Sequence, residues 1–230
     1  LDRVLHYFYP EIKDFIDDKT QKKIEKQISD ENNLTEFDKF DTYRQLGENH
    51  NHICSLIRSD SLDAFIIYIN QKGIPHKSKI QPSLFETHSF LMKKFPTLIE
   101  YSAFFGSIKI FNYLRLNNVE CTEETLIYAI HGQNPEIINS IINDFSIESH
   151  IKCFQESIRC HYDDITNFIL NNYIQNEEIS NDEQFNESLI SYSLRYRNFR
   201  ELPTKIDNKY SNFKELCIYN YLELVKLYMK

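Results

Sequence analysis

A sequence pattern that recurs every 27 or 28 residues constrains the fold of this chain more than any other feature. The segment 97–120, TLIEYSAFFGSIKIFNYLRLNNVE, is followed by the similar segments 124–142 and 152–170. In each copy, a pair of small or apolar residues precedes a turn, and an apolar stripe at helical spacing follows it. A single helical hairpin cannot bury its apolar face, whereas stacked neighbours form a continuous core. The pattern therefore predicts a series of stacked helical hairpins.

Weaker copies of the pattern flank the three clear ones and extend the predicted array over residues 47–230. The predicted repeats are 97–120, 124–146 and 152–174, with degenerate repeats at 51–72 and 211–230 and an insertion at 73–96. The insertion is rich in proline, which interrupts the period. Residues 171–210 hold the motif SLISYSL and are interpreted as one further degenerate repeat followed by a loop through Pro203.

The predicted start of each second helix has the chemistry of a helix N-terminus. Asn134 is a favourable N-cap, and Pro135 falls at the first helical position, where its missing N–H costs nothing. Ser61 and Ser107 take the same capping position in two other copies. Carboxylates in the first turn interact favourably with the helix dipole. These carboxylates are Asp63, Glu136, Asp164 and Glu223. Capping therefore explains these acids better than catalysis does.

Residues 1–46 have a different character from the repeats. The segment 11–28, EIKDFIDDKTQKKIEKQI, has apolar residues at the spacing of an amphipathic helix. We predict an N-terminal helical cap that covers the apolar end of the array, because terminal units of such arrays are atypical. Docking of this helix to a partner is the alternative.

Composition narrows the classes of function. The formal net charge is −8, which disfavours general attraction to nucleic acid phosphates. The longest apolar stretch is far shorter than the roughly 20 residues that a membrane-spanning helix needs, so no membrane insertion is expected. The five cysteines are an odd number without a CxxC pair, which favours a reducing, cytoplasmic compartment. Because the chain starts at Leu1, further segments beyond its ends are an open expectation.

The sequence lacks recognisable catalytic motifs. It contains no GxSxG, HExxH, P-loop or dinucleotide fingerprint, and we predict neither enzymatic activity nor a cofactor. Cys153, Cys160 and His161 suggest a metal site, but their spacing is not that of a zinc motif. Packing of the cysteines as small apolar residues is the preferred interpretation, and no metal is predicted.

The clearest copy, 97–120, resembles one ankyrin repeat, whose pattern is TPLHxAAxxGHxEIVxxLLxxGAD. A linked series of motifs makes the resemblance narrower: GENHNHICSLIRSDSLDAF, SKIQPSLFET, PTLIEYSAFFGSIKIFNYLRLNNVE and YAIHGQNPEII. Together they resemble the uncharacterised ankyrin-type proteins expanded in Trichomonas and related trichomonad protists, over roughly residues 47–230. The resemblance implies an all-α, ankyrin-type helical-hairpin solenoid that binds proteins, and it supplies no catalytic residue or substrate.

The short period indicates where such a protein would bind. A usual ankyrin repeat has about 33 residues, so copies of 27 or 28 leave little room for the hairpin fingers between repeats. The concave face of the first helices remains, with two variable slots after each pair of small residues expected to point outward. The predicted protein-binding surface consists of Arg58, Tyr101, Phe104, Phe105, Tyr128, His131, Glu156, Arg159 and Tyr219. Packing of Phe104 and Phe105 on the insertion is the alternative for those two rings.

These features favour a non-catalytic, cytoplasmic scaffold or adaptor that recognises a protein partner. The alternative function is a structural subunit of a larger cytoskeletal or other intracellular assembly, in which association would be permanent.

Overall fold

A computed structural model describes residues 2–32, 39–92, 94–174, 183–200 and 210–228. Over these ranges the protein is helical, and the one β-type contact is an isolated bridge between Lys79 and Thr97. The prediction of an all-α protein is confirmed. The predicted loop through Pro203 lies outside the described residues.

The chain divides into two compact units. Unit 1 comprises residues 1–102 and 109–119, and unit 2 comprises residues 103–108 and 120–230. Unit 1 therefore contains the predicted cap segment, the insertion and the first degenerate repeat, whereas unit 2 contains most of the later repeats.

Unit 1 is built from short helices, with one longer helix near the N-terminus. They are α1 (Asp2–Tyr7), α2 (Tyr9–Ile12), α3 (Asp18–Asn32), α4 (Phe40–Leu46), α5 (His52–Arg58), α6 (Leu62–Lys72) and most of α8 (Ile108–Leu116). Helix α7 (Leu98–Phe104) begins in unit 1 and ends in unit 2.

The N-terminal segment packs against part of the insertion. One buried apolar cluster combines Tyr9, Ile24, Ile28 and Phe40 with Leu84 and Phe85. The Arg3 guanidinium donates hydrogen bonds to the backbone carbonyls of Ser83 (2.9 Å) and Glu86 (2.7 Å). These contacts give the insertion a fixed place on the N-terminal helices. Whether the segment caps a solenoid stays a prediction.

The single amphipathic helix expected over 11–28 is wrong, because the chain breaks there. Ile16 has an extended backbone, and Asp17 Oδ1 accepts hydrogen bonds from the backbone N–H groups of Lys19 and Thr20, 3.0 Å each. This capping begins a separate helix, α3, after the break. Phe15, expected on the apolar face, is 86% exposed.

Unit 2 contains seven helices over the described residues, of which six form three consecutive pairs and one stands between the second and third pairs. They are α9 (Glu123–Gly132), α10 (Pro135–Ile141), α11 (Ile147–Cys160), α12 (Asp163–Ile169), α13 (Glu183–Tyr196), α14 (Tyr210–Ile218) and α15 (Leu222–Tyr228). Short 3₁₀ and π turns follow α10 and α12. Helix α11 packs against α9 on one side and α13 on the other. The predicted clear and degenerate repeats coincide with these helix pairs and with α5–α6 and α7–α8.

The same turn follows each first helix, with one residue in the left-handed αL conformation. These αL residues are Asp60, Gly106, Gln133, His161, Arg197 and Asn220, with φ between 46° and 65°. After α11, His161 N–H donates to the carbonyl of Ile158 (3.1 Å), and Tyr162 N–H donates to that of Ser157 (3.0 Å). This Schellman arrangement satisfies the last carbonyls of the helix. The two variable slots of the sequence pattern are the two residues before each αL position.

Side chains connect successive turns. Asn134 donates from Nδ2 to the Gly106 carbonyl (3.1 Å), and Asn198 donates from Nδ2 to the Ile158 carbonyl (3.2 Å). In unit 1, the Asp60 carboxylate accepts from the backbone N–H groups of Lys109 and Ile110, at 3.1 and 3.0 Å. In unit 1, the turn of one hairpin thus caps the second helix of the next. In unit 2, Asn134 and Asn198 instead donate to a carbonyl at the preceding turn or helix end.

The predicted helix starts are confirmed in part. Asn134 caps α10 by accepting from Glu136 N–H (3.0 Å), and Pro135 is the first helical residue. Ser61 is the N-cap of α6 but its side chain makes no capping hydrogen bond. The four predicted carboxylates lie in the first turns of α6, α10, α12 and α15.

Over the described residues, no helix combines the length and the apolar character needed to cross a membrane.

Candidate functional site

Six of the nine residues predicted to bind a partner come together in unit 2. They are Phe104, Phe105, Tyr128, His131, Glu156 and Arg159. Phe104 and Phe105 precede the αL turn of the first clear repeat, and His131 and Arg159 hold the same slots in the next two. The recurring turn therefore delivers these side chains to one place.

The Phe104 ring is the centre of an aromatic contact group. It stacks on the His131 imidazole, with ring centroids 5.3 Å apart and an interplanar angle of 26°. Phe105 and Tyr128 meet it edge-on, at 5.0 and 6.3 Å. Phe104 and Tyr128 are buried, whereas Phe105 is half-buried. Phe104 and Tyr128 thus support the surface from beneath, and Phe105 has the exposure to contact a partner.

The Glu156 carboxylate links two neighbouring repeats. His131 Nε2 donates to its Oε1 (3.0 Å), and Arg159 donates to its Oε2 (3.1 Å). A carboxylate only accepts, so His131 carries its proton on Nε2. Burial alone would raise the pKa of Glu156, but the His131 hydrogen bond and the Arg159 charge outweigh it, so this pKa is lowered. Glu156 is accordingly an ionised hub between α9 and α11.

The Cys160 thiol completes this cluster. Its Sγ lies 3.8 Å from Glu156 Oε1 and 3.9 Å from His131 Nδ1. Burial, followed by the Glu156 charge, raises the pKa of Cys160 to about 11. A thiol kept protonated is a poor nucleophile, so the arrangement does not favour thiol catalysis despite its imidazole neighbour. Nitrogen, oxygen and sulfur donors at these separations do have the chemistry to hold a metal ion.

The set extends to α13 through residues that were not predicted. The Arg159 guanidinium carbon lies 6.0 Å from the Tyr196 ring centroid, and that of Arg195 lies 5.5 Å from the same ring. Tyr192 packs on Tyr196 with centroids 5.7 Å apart. We call the continuous set Phe104, Phe105, His131, Glu156, Arg159 and Tyr196 the unit 2 row.

A sequence signal for Tyr196 existed. In the degenerate repeat that contains SLISYSL, Ser193 and Leu194 take the small-residue slots, because Arg197 is the αL residue. Arg195 and Tyr196 are then the two variable slots. Extending the register through this weak copy would have included them in the predicted surface.

The contacts of the remaining predicted residues are with other groups. In unit 1, Arg58 donates to the Tyr101 hydroxyl (3.0 Å), and Tyr101 is buried. Burial raises the pKa of Tyr101. Tyr219 in unit 2 packs against the apolar cluster of Ile190, Leu194 and Leu216. Packing, rather than an open surface, is the evident role of Tyr101 and Tyr219.

Gly132 has a role that the sequence pattern did not reveal. A Cβ at this position would lie 2.0 Å from the Ala103 carbonyl oxygen and 3.0 Å from Gly106 N. The end of α9 therefore approaches the preceding turn so closely that only glycine is tolerated. This close approach sets the spacing at which His131 meets Phe104.

Comparisons with protein-family models, with curated proteins and with solved structures find no match to this chain.

Proposed function

We propose that this protein is a non-catalytic interaction module and that it recognises a protein partner through the unit 2 row. The observation that carries the proposal is the continuity of the row: side chains from four successive repeats touch one another in sequence, from Phe105 to Tyr196. The variable slots supply five of the six side chains, and Glu156, three residues before Arg159 on α11, supplies the sixth.

The chemistry of the row is that of an interface. Aromatic rings and arginine are the residue types in which binding energy concentrates. Phe105 and Tyr196 are half-buried, and the Arg159 side chain is 48% exposed. Rings and guanidinium that already contact one another lose little conformational freedom when a partner binds.

The charge of the row selects the partner. Although the chain has a formal net charge of −8, the exposed arginines Arg159 and Arg195 both lie against the Tyr196 ring at the α13 end of the row. This local excess favours a protein segment that carries carboxylates beside an apolar anchor. General binding to nucleic acid remains disfavoured by the overall charge.

We also propose that the hairpins are ankyrin-type repeats in a cytoplasmic protein. Support for the repeats comes from the period of 27 or 28 residues and from the αL turn that recurs at the same register. Support for the compartment comes from the odd number of cysteines, which include no CxxC pair. A solenoid that stacks short repeats would present the variable slots as one surface.

The test is co-purification of the full-length tagged protein from the cells that produce it. Arg159→Glu and Tyr196→Ala are compared with Lys226→Glu, whose side chain is 58% exposed and lies on the second helix α15. We expect at least one partner to be retained by the wild type and by Lys226→Glu, with about 30-fold weaker binding to both row variants. Circular dichroism confirms that each variant is folded.

Equal recovery of every partner with all four proteins would refute recognition by the row. If, in addition, the recovered assembly is stoichiometric and resists high salt, the structural-subunit alternative becomes the better account.

A further inference from the structure

Three side chains with different donor atoms converge between α9 and α11. Glu156 and Cys160 are one helical turn apart on α11 and so project from one face. His131, in the last turn of α9, faces them. One donor atom from each of the three residues lies within 4.8 Å of the other two.

The separations are close to those of a tetrahedral zinc site. At usual zinc bond lengths, nitrogen and oxygen ligands lie about 3.3 Å apart, and sulfur and oxygen ligands about 3.5 Å apart. Here His131 Nε2 and Glu156 Oε1 are 3.0 Å apart, and Cys160 Sγ and Glu156 Oε1 are 3.8 Å apart. Adjustments of about 0.3 Å at these two edges are within side-chain movement. For the third edge, between Cys160 Sγ and the His131 ring nitrogen, the ligand atoms lie within 4.8 Å of one another.

The donor set selects zinc over harder ions. Calcium and magnesium prefer oxygen ligands only, whereas imidazole and thiolate together suit Zn²⁺. An ionised Glu156 and a Cys160 thiolate supply two negative charges, which equal the charge of the ion. The three ligands therefore balance the charge of the ion, and Arg159 adds one positive charge beside them.

The surroundings already orient the ligands. Arg159 holds Glu156 Oε2, which leaves Oε1 towards His131 and Cys160. Phe104 fixes the imidazole plane by stacking on it. Partners that orient the first ligands in this way strengthen metal binding.

We propose that His131, Glu156 and Cys160 bind one zinc ion and thereby join the second and third clear repeats. His131 binds through Nε2, Glu156 through Oε1 and Cys160 through Sγ, and a water molecule takes the fourth position. The thiol proton leaves to solvent, and the imidazole proton moves from Nε2 to Nδ1. One proton is therefore released for each ion bound to neutral His131. All three ligands belong to this chain, so the proposal is independent of the partner.

The first test is titration of the reduced, purified full chain with Co²⁺, which reports thiolate ligation by a charge-transfer absorption band, followed by competition with Zn²⁺. The wild type should show a saturable band that Zn²⁺ abolishes. Cys160→Ser should lose the band, whereas the control Cys217→Ser, which removes an exposed thiol, should keep it. His131→Gln should bind more than about tenfold more weakly. No band in the wild type, or an equal band in Cys160→Ser, would overturn the proposal.

A second measurement needs no variant, so it stands even if Cys160→Ser fails to fold. Zn²⁺ should slow alkylation of Cys160 and leave alkylation of Cys217 unchanged, as read by mass spectrometry of the wild type. At a Zn²⁺ concentration a hundredfold above Kd, Tm should rise by about 5 °C or more. Equal protection of both cysteines, or an unchanged Tm, would contradict a specific site.

Discussion

Two glutamates, Glu86 in unit 1 and Glu156 in unit 2, have little contact with solvent, but their pKa values are shifted in opposite directions. Glu86 is 6% exposed, and its Oε2 has no hydrogen-bond partner among the described residues. Burial raises its pKa. The Glu156 side chain is 13% exposed, but both of its oxygens are bonded and its pKa is lowered. The difference shows that partners, rather than burial alone, decide whether a carboxylate stays charged.

The same contrast separates two arginines in equivalent slots. Arg58 and Arg159 each follow the small-residue pair of a first helix. Arg58 is 16% exposed and is held by Glu48, Asn49 and Tyr101, whereas Arg159 is 48% exposed. The slot fixes where the side chain starts, and the residues around it decide whether it reaches a partner.

The largest expected effect concerns two glycines, Gly132 in unit 2 and Gly73 in unit 1. Gly132→Ala should lower the free energy of unfolding by about 3 kcal/mol or more, because its Cβ would clash with the Ala103 carbonyl. Gly73→Ala should cost about 1 kcal/mol, since it has φ of +62° but nothing within 4 Å of its Cβ. Urea unfolding of both variants gives the two values. Equal losses of unfolding free energy in the two variants would refute the close approach of Gly132 to the Ala103 carbonyl.

The next effect distinguishes the two arginines. Arg58→Ala should cost about 2 kcal/mol, because it removes the guanidinium that donates to the buried Tyr101 hydroxyl and to the Asn49 carbonyl. Arg159→Ala should cost less than about 1 kcal/mol, because Arg159 is itself exposed and His131 still donates to the Glu156 carboxylate in the variant. Chemical denaturation measures both. If Arg159→Ala is the more destabilising variant, the assignment of Arg58 to structure and Arg159 to binding fails.

The turn register illustrates what sequence reasoning can reach. Pairs of small residues and the Asn134–Pro135 helix start are local signals, so they predicted where hairpins turn. The same pattern located Phe105, His131 and Arg159 in one series of slots.

Contacts between distant segments could not be predicted from the sequence. Asp60 caps α8 although it precedes Lys109 by 49 residues. Arg58 is covered by Glu48 and Asn49, which stand before its helix and outside the repeat pattern. A repeat motif specifies its own hairpin, but it does not specify which other segment of the same polypeptide packs against that hairpin. The clash at Gly132 is of this kind, because it depends on a carbonyl in another repeat.

The smallest effects are pH-dependent and opposite in sign. Glu86→Gln should be more stable than the wild type at neutral pH by about 1 kcal/mol, because it removes a buried charge with an unbonded oxygen. The pKa of Glu86 is raised above the unfolded value near 4.5. The folded wild type is therefore most stable with Glu86 protonated, and its free energy of unfolding falls as pH rises through the raised pKa. The advantage of Glu86→Gln should therefore grow with pH over that interval.

Glu156→Gln should instead be less stable than the wild type at neutral pH by about 1 kcal/mol, because His131 and Arg159 lose a charged acceptor. The pKa of Glu156 is lowered below 4.5, so its contribution is complete above that value and is lost as pH falls through the lowered pKa. Thermal unfolding of both variants from acid to neutral pH measures the two trends. Parallel pH trends for the two variants would refute the comparison between the glutamates.

The most direct test of the central claim, that the unit 2 row is the surface that binds a protein, is photo-cross-linking in the cells that produce this chain. A benzoylphenylalanine replaces Phe105, so that an aromatic ring is kept and Arg159 is unchanged, in one protein and Asn167, an exposed residue on the second helix α12, in another. We predict that illumination joins a defined protein to position 105 and not to position 167. Equal cross-linking at both positions, or a defined adduct at 167 alone, would contradict the account.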